Sequence, residues 1–372
     1  MRLVISACDA AAAHHLSQVI KEAMVDRRFD VHVVAQNPAA DILRKNGLRP
    51  TEIKLQRAKR PDSPAGEALL DAARRVVADV KPDAVLCGLS TPLDGGLDEA
   101  LLAVCDCTSY LLQDFWGEQN AFFGSAPDVL FVLDDMAARS TKERCPGRPV
   151  VIGSTRHSNY RTLSFERLRE DVRAALAVSS DAKLVGLFGQ ALHHIPGYGR
   201  TVEAWCLALL AMECTPEALY RPHPRESRQE VARTQELFKT LGVSVKTVSS
   251  TVAVEQTIAA CDVVCATFSN CLYDAAFVNR FASTPLVTPM TLMFDPDLVT
   301  YFDEKIKVKH LPYLQEELAY PVASSRELPA DLDKALQYET KERFWRSARE
   351  KLPDSGLAIS NLLDVVAKEY GQ

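Results

Sequence analysis

The most chemically loaded stretch of the chain is Tyr220-Arg221-Pro222-His223-Pro224-Arg225-Glu226, where two guanidinium groups and an imidazole stand among prolines directly after an apolar run. Proline fixes the backbone, and a polar corner at the carboxyl end of a strand lies on the edge where parallel sheets take ligands. Guanidinium makes paired, charge-assisted bonds to phosphate and imidazole adds a further donor, so Arg221, His223 and Arg225 are candidate phosphate ligands. The alternative is a rigid surface turn closed by an ordinary helix-start glutamate. Thr267-Phe268-Ser269-Asn270 forms a second corner, with Asp274 one turn further on. Helix N-termini present N–H groups and partial positive charge to anions, although Ser269 equally suits a plain helix cap. A third corner, Leu187-Phe188-Gly189-Gln190, continues through His193 and His194 to Tyr198-Gly199-Arg200-Thr201. Its glycines permit close approach of a ligand to the backbone, while the two histidines read as solvated loop residues. In the first half, His14 and His15 follow the first apolar run, and an imidazole titrating at about 6.5 suits a general base. Successive helical residues diverge by about 100°, so only one of the two faces a substrate. Asp9, Asp114 and Glu118 are rival bases.

Such corners need strands and helices to hold them, and the sequence alternates short β-rich runs with longer amphipathic stretches throughout, the pattern of βαβ crossovers. Strands are predicted at 3–8, 31–36, 51–56, 84–89, 109–113, 129–133 and 150–152, with helices at 15–24, 39–45, 66–80, 97–104 and 136–143. After the polar connection 153–160 the alternation begins afresh. Helices are predicted at 165–177, 201–212, 228–241, 252–260 and 272–278, with strands at 184–188, 218–221, 243–248, 263–266 and 285–288. The expected fold is α/β, with two Rossmann-like domains around a central cleft. The domains span 1–155 and 156–335, and residues 336–372 form helices, broken at Pro353, that pack back toward the first domain. Two Pro- and Gly-marked loops, 57–64 and 115–120, are expected at the cleft mouth.

Composition narrows the function. Of 372 residues, 43 are Lys or Arg and 49 Asp or Glu, and a net charge of -6 argues against a general nucleic-acid binder. No apolar run approaches the ~20 residues of a membrane span, and the N-terminus lacks a signal-peptide layout, so a cytoplasmic chain is expected. Peripheral membrane contact stays compatible with that. The ten cysteines lie mainly in apolar segments and are expected reduced and mostly buried. Their spacing, including Cys105-Asp106-Cys107, matches no usual zinc site, so no metal is expected. Neither Gly-x-Gly-x-x-Gly nor a Walker A run is present, and no cofactor is expected.

Taken together, the chain resembles the GT-B glycosyltransferases, in particular bacterial capsule, lipopolysaccharide and teichoic-acid enzymes and the related sugar-nucleotide epimerase-like proteins. The resemblance rests on residues 151–158, similar to that group's Gly-Ser-Pro-Arg-x-Asp linker, on Arg221-Pro222-His223-Pro224-Arg225, similar to its His-Pro phosphate motif, and on 267–276, similar to its Ser-rich corner. Thr155 and Ser158 depart from the linker's proline and aspartate, and Asp274 stands where Glu is commoner. The resemblance implies that His223 and Arg225 touch a donor's phosphates, that Ser269 and Asn270 hold them from the helix end, and that Asp274 contacts ribose or the transferred sugar. Gly189, Gln190 and Arg221 complete the expected donor site, and His14, His15 or Asp114 the catalytic one. The expected activity is metal-independent transfer of a sugar from an activated sugar phosphate, a nucleotide sugar above all, to a glycan or small-molecule acceptor. The alternatives are a nucleotide-sugar epimerase or hydrolase on the same scaffold, and a non-catalytic two-domain ligand-binding protein.

Overall fold

The computed structural model describes residues 1–91, 94–249, 252–305 and 311–370. The chain divides into two compact units, Met1–Asn159 with Pro353–Gln372, and Tyr160–Leu352. Strands of the first are β1 (Arg2–Ala7), β2 (Asp30–Ala35), β3 (Thr51–Glu52), β4 (Ala84–Gly88), β5 (Thr108–Leu112), β6 (Val129–Val132) and β7 (Arg148–Val151). Between them run α1 (Ala10–Val25), α2 (Ala39–Lys45), α3 (Pro64–Val80), α4 (Leu97–Val104) and α5 (Asp135–Arg144). The strands pair in parallel in the order β3-β2-β1-β4-β5-β6-β7, so the winding reverses between β1 and β4.

The second unit repeats the plan with α6 (Phe165–Ala175), β8 (Leu184–Phe188), α7 (Pro196–Ala211), β9 (Glu217–Arg221), α8 (Arg228–Thr240), β10 (Val245–Thr247), α9 (Val254–Ala260), β11 (Val263–Ala266) and α10 (Cys271–Phe281). It continues through β12 (Thr288–Thr291), α11 (Pro296–Lys305), α12 (Pro312–Gln315), β13 (Tyr320–Pro321), α13 (Leu328–Ala335) and α14 (Tyr338–Lys351), and α15 (Ala358–Tyr370) returns to the first unit. The parallel order β10-β9-β8-β11-β12-β13 reverses between β8 and β11.

Strands covered by helices on both faces are apolar along their whole length, and β4, β8 and β11 are buried at every position. In the first core Leu3 and Ile5 of β1 meet Leu16, Val19 and Ile20 of α1, with Leu362 and Val366 of α15 added from the chain's end. Each such side chain contributes about 1.5–3 kcal/mol on burial. The second core gathers Val185, Leu187, Trp205, Tyr220, Phe238 and Leu332.

Some elements differ from the sequence expectation for identifiable reasons. The strand expected at 285–288 runs instead over Thr288–Thr291, because the Asn279 amide donates to the Val287 carbonyl (2.8 Å) and accepts from its N–H (3.3 Å), taking Val287 out of the ladder. The edge strand β13 has two residues and gives no periodic signal. Helix α1 begins at Ala10, since four consecutive alanines favour helix from the first turn. Helix α14 belongs with the second unit: Lys341 Nζ donates to Asp262 (3.0 Å) and Trp345 Nε1 to the Ala282 carbonyl (3.0 Å).

Candidate functional site

In a parallel sheet every strand ends at the same edge, so the loops after β8, β9 and β11 stand side by side at the point where the second sheet's winding reverses. Two side chains bind these corners together. Gln190, buried after β8, accepts through Oε1 from the N–H groups of Thr267 and Phe268, both at 3.1 Å, and from the Thr267 hydroxyl. Glu226, after β9, accepts from the Tyr220 hydroxyl at 2.8 Å and from the His223 N–H, and its Oε1 lies 2.7 Å from His193 Nε2. Its carboxylate has no solvent exposure. A Cβ on Gly189 would fall 2.3 Å from Glu226 Oε2, so the absence of a side chain there makes room for this carboxylate.

The candidate phosphate ligands differ in setting. Arg221 is buried, donating to the Ser249 carbonyl at 3.2 Å and to the Thr257 hydroxyl at 3.3 Å. Arg225 is exposed, and among the described residues no carboxylate pairs with it. Its backbone N–H donates to His223 Nδ1 at 3.1 Å, leaving Nε2 of the neutral ring as a donor. Burial, then Arg225 and Arg221, lower the His223 pKa to about 4, so the ring is neutral at pH 7. Helix α8 starts immediately beyond, where Ser227 and Glu230 cap it reciprocally. At the β11 corner, Ser269 Oγ accepts from the Cys271 N–H at 3.2 Å, and Asn270 stands at the N-cap of α10 without a side-chain cap bond. Asp274 is buried in the first turn of α10.

Local sequence missed Glu226 and His193. The glutamate read as an ordinary helix start because its partners lie 6 and 33 positions away. His193, expected in solvent, is mostly buried against it; His194 is exposed and meets the Tyr301 ring edge-on at 5.6 Å.

At the first unit's reversal point, Asp9 after β1 accepts from the Thr91 N–H (2.7 Å) and hydroxyl (3.0 Å) after β4. Arg57 donates to Asp9 at 2.8 Å and to Asp94 at 2.5 Å, and Ala58 and Gly95 exchange backbone bonds of 2.9 Å, which latches the 57–64 loop to this edge. The 115–120 loop is fixed by Gln113 Nε2 donating to the Glu118 carbonyl (2.8 Å), by Trp116 Nε1 on Asp134 (2.9 Å) and by Asn120 Nδ2 on the Asp94 carbonyl (2.9 Å). Just before it Asp114 is half-buried, and burial followed by the charges of Glu118 and Asp9 pushes its carboxyl up to about 7. Burial raises Glu118 as well. Asp98 of α4 is fully buried and takes the Ser6 hydroxyl, and burial with the neighbouring Glu99 raises it to about 7.

The two histidines lie in the second turn of α1 and not at its start. His14 is exposed. His15 is buried, its carbonyl accepting from the Thr155 hydroxyl at 2.8 Å, so it holds α1 to the segment that leaves the unit. Among the described residues no group of three or more His, Cys, Asp or Glu is arranged to hold a metal, and no helix is long and apolar enough to cross a membrane.

No protein-family model and no curated protein matches the sequence. Solved structures do match over the whole length. A UDP-GlcNAc 2-epimerase from Neisseria meningitidis bound to UDP-GlcNAc shares 13% identity with a TM-score of 0.70, covering 99% of this chain and 100% of its own. A glycosyltransferase from Rickettsia africae shares 11% at 0.64, covering 100% and 98%. Acinetobacter baumannii MurG shares 13% at 0.58, covering 99% and 100%. With two doubly wound parallel sheets in succession and this full-length likeness, the chain has the α/β GT-B fold.

Proposed function

We propose that the chain is an enzyme acting on a nucleotide sugar, with the second unit binding the donor's diphosphate and the first supplying an acid–base carboxyl. The observation that carries this reading is one edge of the second sheet, where exposed Arg225, the neutral His223 ring and the start of α10 are held by Glu226 and Gln190. In glycosyl transfer the bond from the anomeric carbon to the diphosphate oxygen breaks, and negative charge grows on the leaving oxygen. Donors already aimed at that charge lower the barrier, and a guanidinium with a helix end can meet it without a metal. Arg225 and His223 take the phosphates in this scheme, Ser269 and Asn270 the same phosphates from the helix end, and Asp274 a sugar hydroxyl. Asp114 accepts the acceptor's proton, because a carboxyl titrating near 7 combines an ionised fraction with real basicity; His14 is the second choice. The names of the similar structures, UDP-GlcNAc epimerases beside a glycosyltransferase, support a nucleotide sugar as the substrate class.

A second reading, epimerisation or hydrolysis without an acceptor, is favoured by one observation: burial raises both Asp114 and Glu118, and the Glu118 charge raises Asp114 further, as in an acid–base pair working on a single sugar. The two are separated by incubating the chain with UDP-sugars, alone and with glycan or small-molecule acceptors, and following the products by NMR. Nucleotide released only with acceptor supports transfer, and an epimer or free sugar formed without acceptor supports the second reading. If no nucleotide sugar binds or turns over, both fail.

A further inference from the structure

The loops after β11 and β12 lie side by side at the carboxyl edge of the second sheet, because the two strands are parallel and Ala266 pairs with Thr291 at their ends. Phe268 and Met293 each stand two residues past that last pair. Two bonds clasp the loops: the Leu292 N–H donates to the Ala266 carbonyl at 2.8 Å, and the Thr291 hydroxyl donates to the Thr267 carbonyl at 2.5 Å. Four large apolar side chains, Phe268, Met293, Phe294 and Tyr301 of α11, pack against the second core here and remain partly exposed. The Phe268 ring lies 6.3 Å from that of Tyr301 with planes 23° apart, and is backed at 5.4 Å by Phe302, which is buried.

Scattered exposed apolar residues mean little, but a joined apolar surface with a polar rim marks a place that a ligand covers. The rim here is the proposed phosphate corner itself. Phe268 donates its N–H to Gln190 Oε1 at 3.1 Å, and Ser269 and Asn270 follow it directly into α10. With the diphosphate at the start of α10, one of the two groups that flank it meets this wall. Asp274, in the first turn of α10, takes a sugar hydroxyl in the same scheme, which puts the sugar on this side.

We propose that the wall of Phe268, Met293, Phe294 and Tyr301 receives the donor's sugar and selects one that bears a methyl group, a deoxy or N-acyl sugar, over an unsubstituted hexose. This rests on the nucleotide-sugar reading. An unsubstituted hexose turns a hydroxyl onto the rings, where it loses water and finds no partner. A methyl group at the same place leaves water and gains dispersion contacts with the rings.

The test is calorimetric titration of the intact chain with UDP, UDP-glucose, UDP-6-deoxyglucose and UDP-GlcNAc. The two methyl-bearing sugars should bind about fourfold or more tighter than UDP-glucose, the gain expected for one buried methyl group. Phe268→Ser and Met293→Ser should each remove that preference while UDP itself binds as before, which also reports that the variants are folded. Equal affinity for the three nucleotide sugars in the parent chain, or a preference that survives both substitutions, would overturn the proposal. So would loss of UDP affinity in a variant that keeps cooperative thermal unfolding, because the wall would then hold the base. A parent chain that binds none of the four ligands fails the nucleotide-sugar reading instead.

Discussion

At the scale of single residues, the carboxylate of Glu226 fixes where the proposed phosphate corner points, since it holds the His223 backbone, the Tyr220 hydroxyl and His193 at once. Gly189→Ala puts a Cβ into that carboxylate, so nucleotide-sugar affinity should fall about tenfold or more, 1.4 kcal/mol per decade, by calorimetric titration. Arg225→Lys keeps the charge but loses the planar fork, and affinity should drop although the net charge is unchanged. His223 carries a pH signature. Its free ring is held neutral to about 4, and a bound diphosphate raises that value, so binding takes up protons between about pH 4 and 6.5. Affinity should rise as pH falls from 7 to 5, and H223N should flatten the dependence. Asp114 works in the other direction. Folded Asp114 keeps its proton to about 7 while the unfolded chain releases it near 3.9, so its contribution to stability is present at low pH and lost as pH rises through 7. Asp114→Asn should lower turnover by ~10²–10⁴ with donor affinity retained, abolish a rising limb of rate centred near pH 7, and raise Tm more at pH 8 than at pH 4.

Among the elements, those buried on both faces were legible as apolar runs, and the corners between them were legible because their polar residues are contiguous. What escaped the sequence depends on side-chain contacts that no local pattern announces: Asn279 displaces β12, and Glu226 joins Tyr220 at the end of β9 to His193 in the loop after β8. The packing of α14 is another such case. Asp262, just before β11, is almost wholly buried and pairs with Arg169, Arg173 and Lys341 at 2.7–3.0 Å, drawing α6 and α14 to one end of the second sheet. Removing the anion leaves three cations facing one another, so Asp262→Asn should destabilise by roughly 3–5 kcal/mol, read from denaturant unfolding. Lys341→Met should cost much less, since two partners for Asp262 remain.

For the whole molecule, two cores of separate composition imply two unfolding events. In scanning calorimetry a saturating nucleotide sugar should raise the transition of the second unit by about 2.7 kcal/mol of added stability at a hundred times its Kd, leaving the other nearly unmoved. The first unit is discontinuous: the chain leaves it after Asn159 and re-enters at Pro353, where Ser154 donates to Ser355 Oγ at 3.2 Å, and Ile359, Leu362, Leu363 and Val366 complete its core. On the ribosome this inverts the usual order, because the segment synthesised first cannot close its core until the last helix emerges, whereas residues 160–352 have all their partners sooner. Nascent chains stalled so that residue 352 but not α15 has left the ribosome should already carry a protease-resistant second half beside a digestible first half, so that emergence of α15, and not synthesis of its own strands, sets when the first unit becomes native.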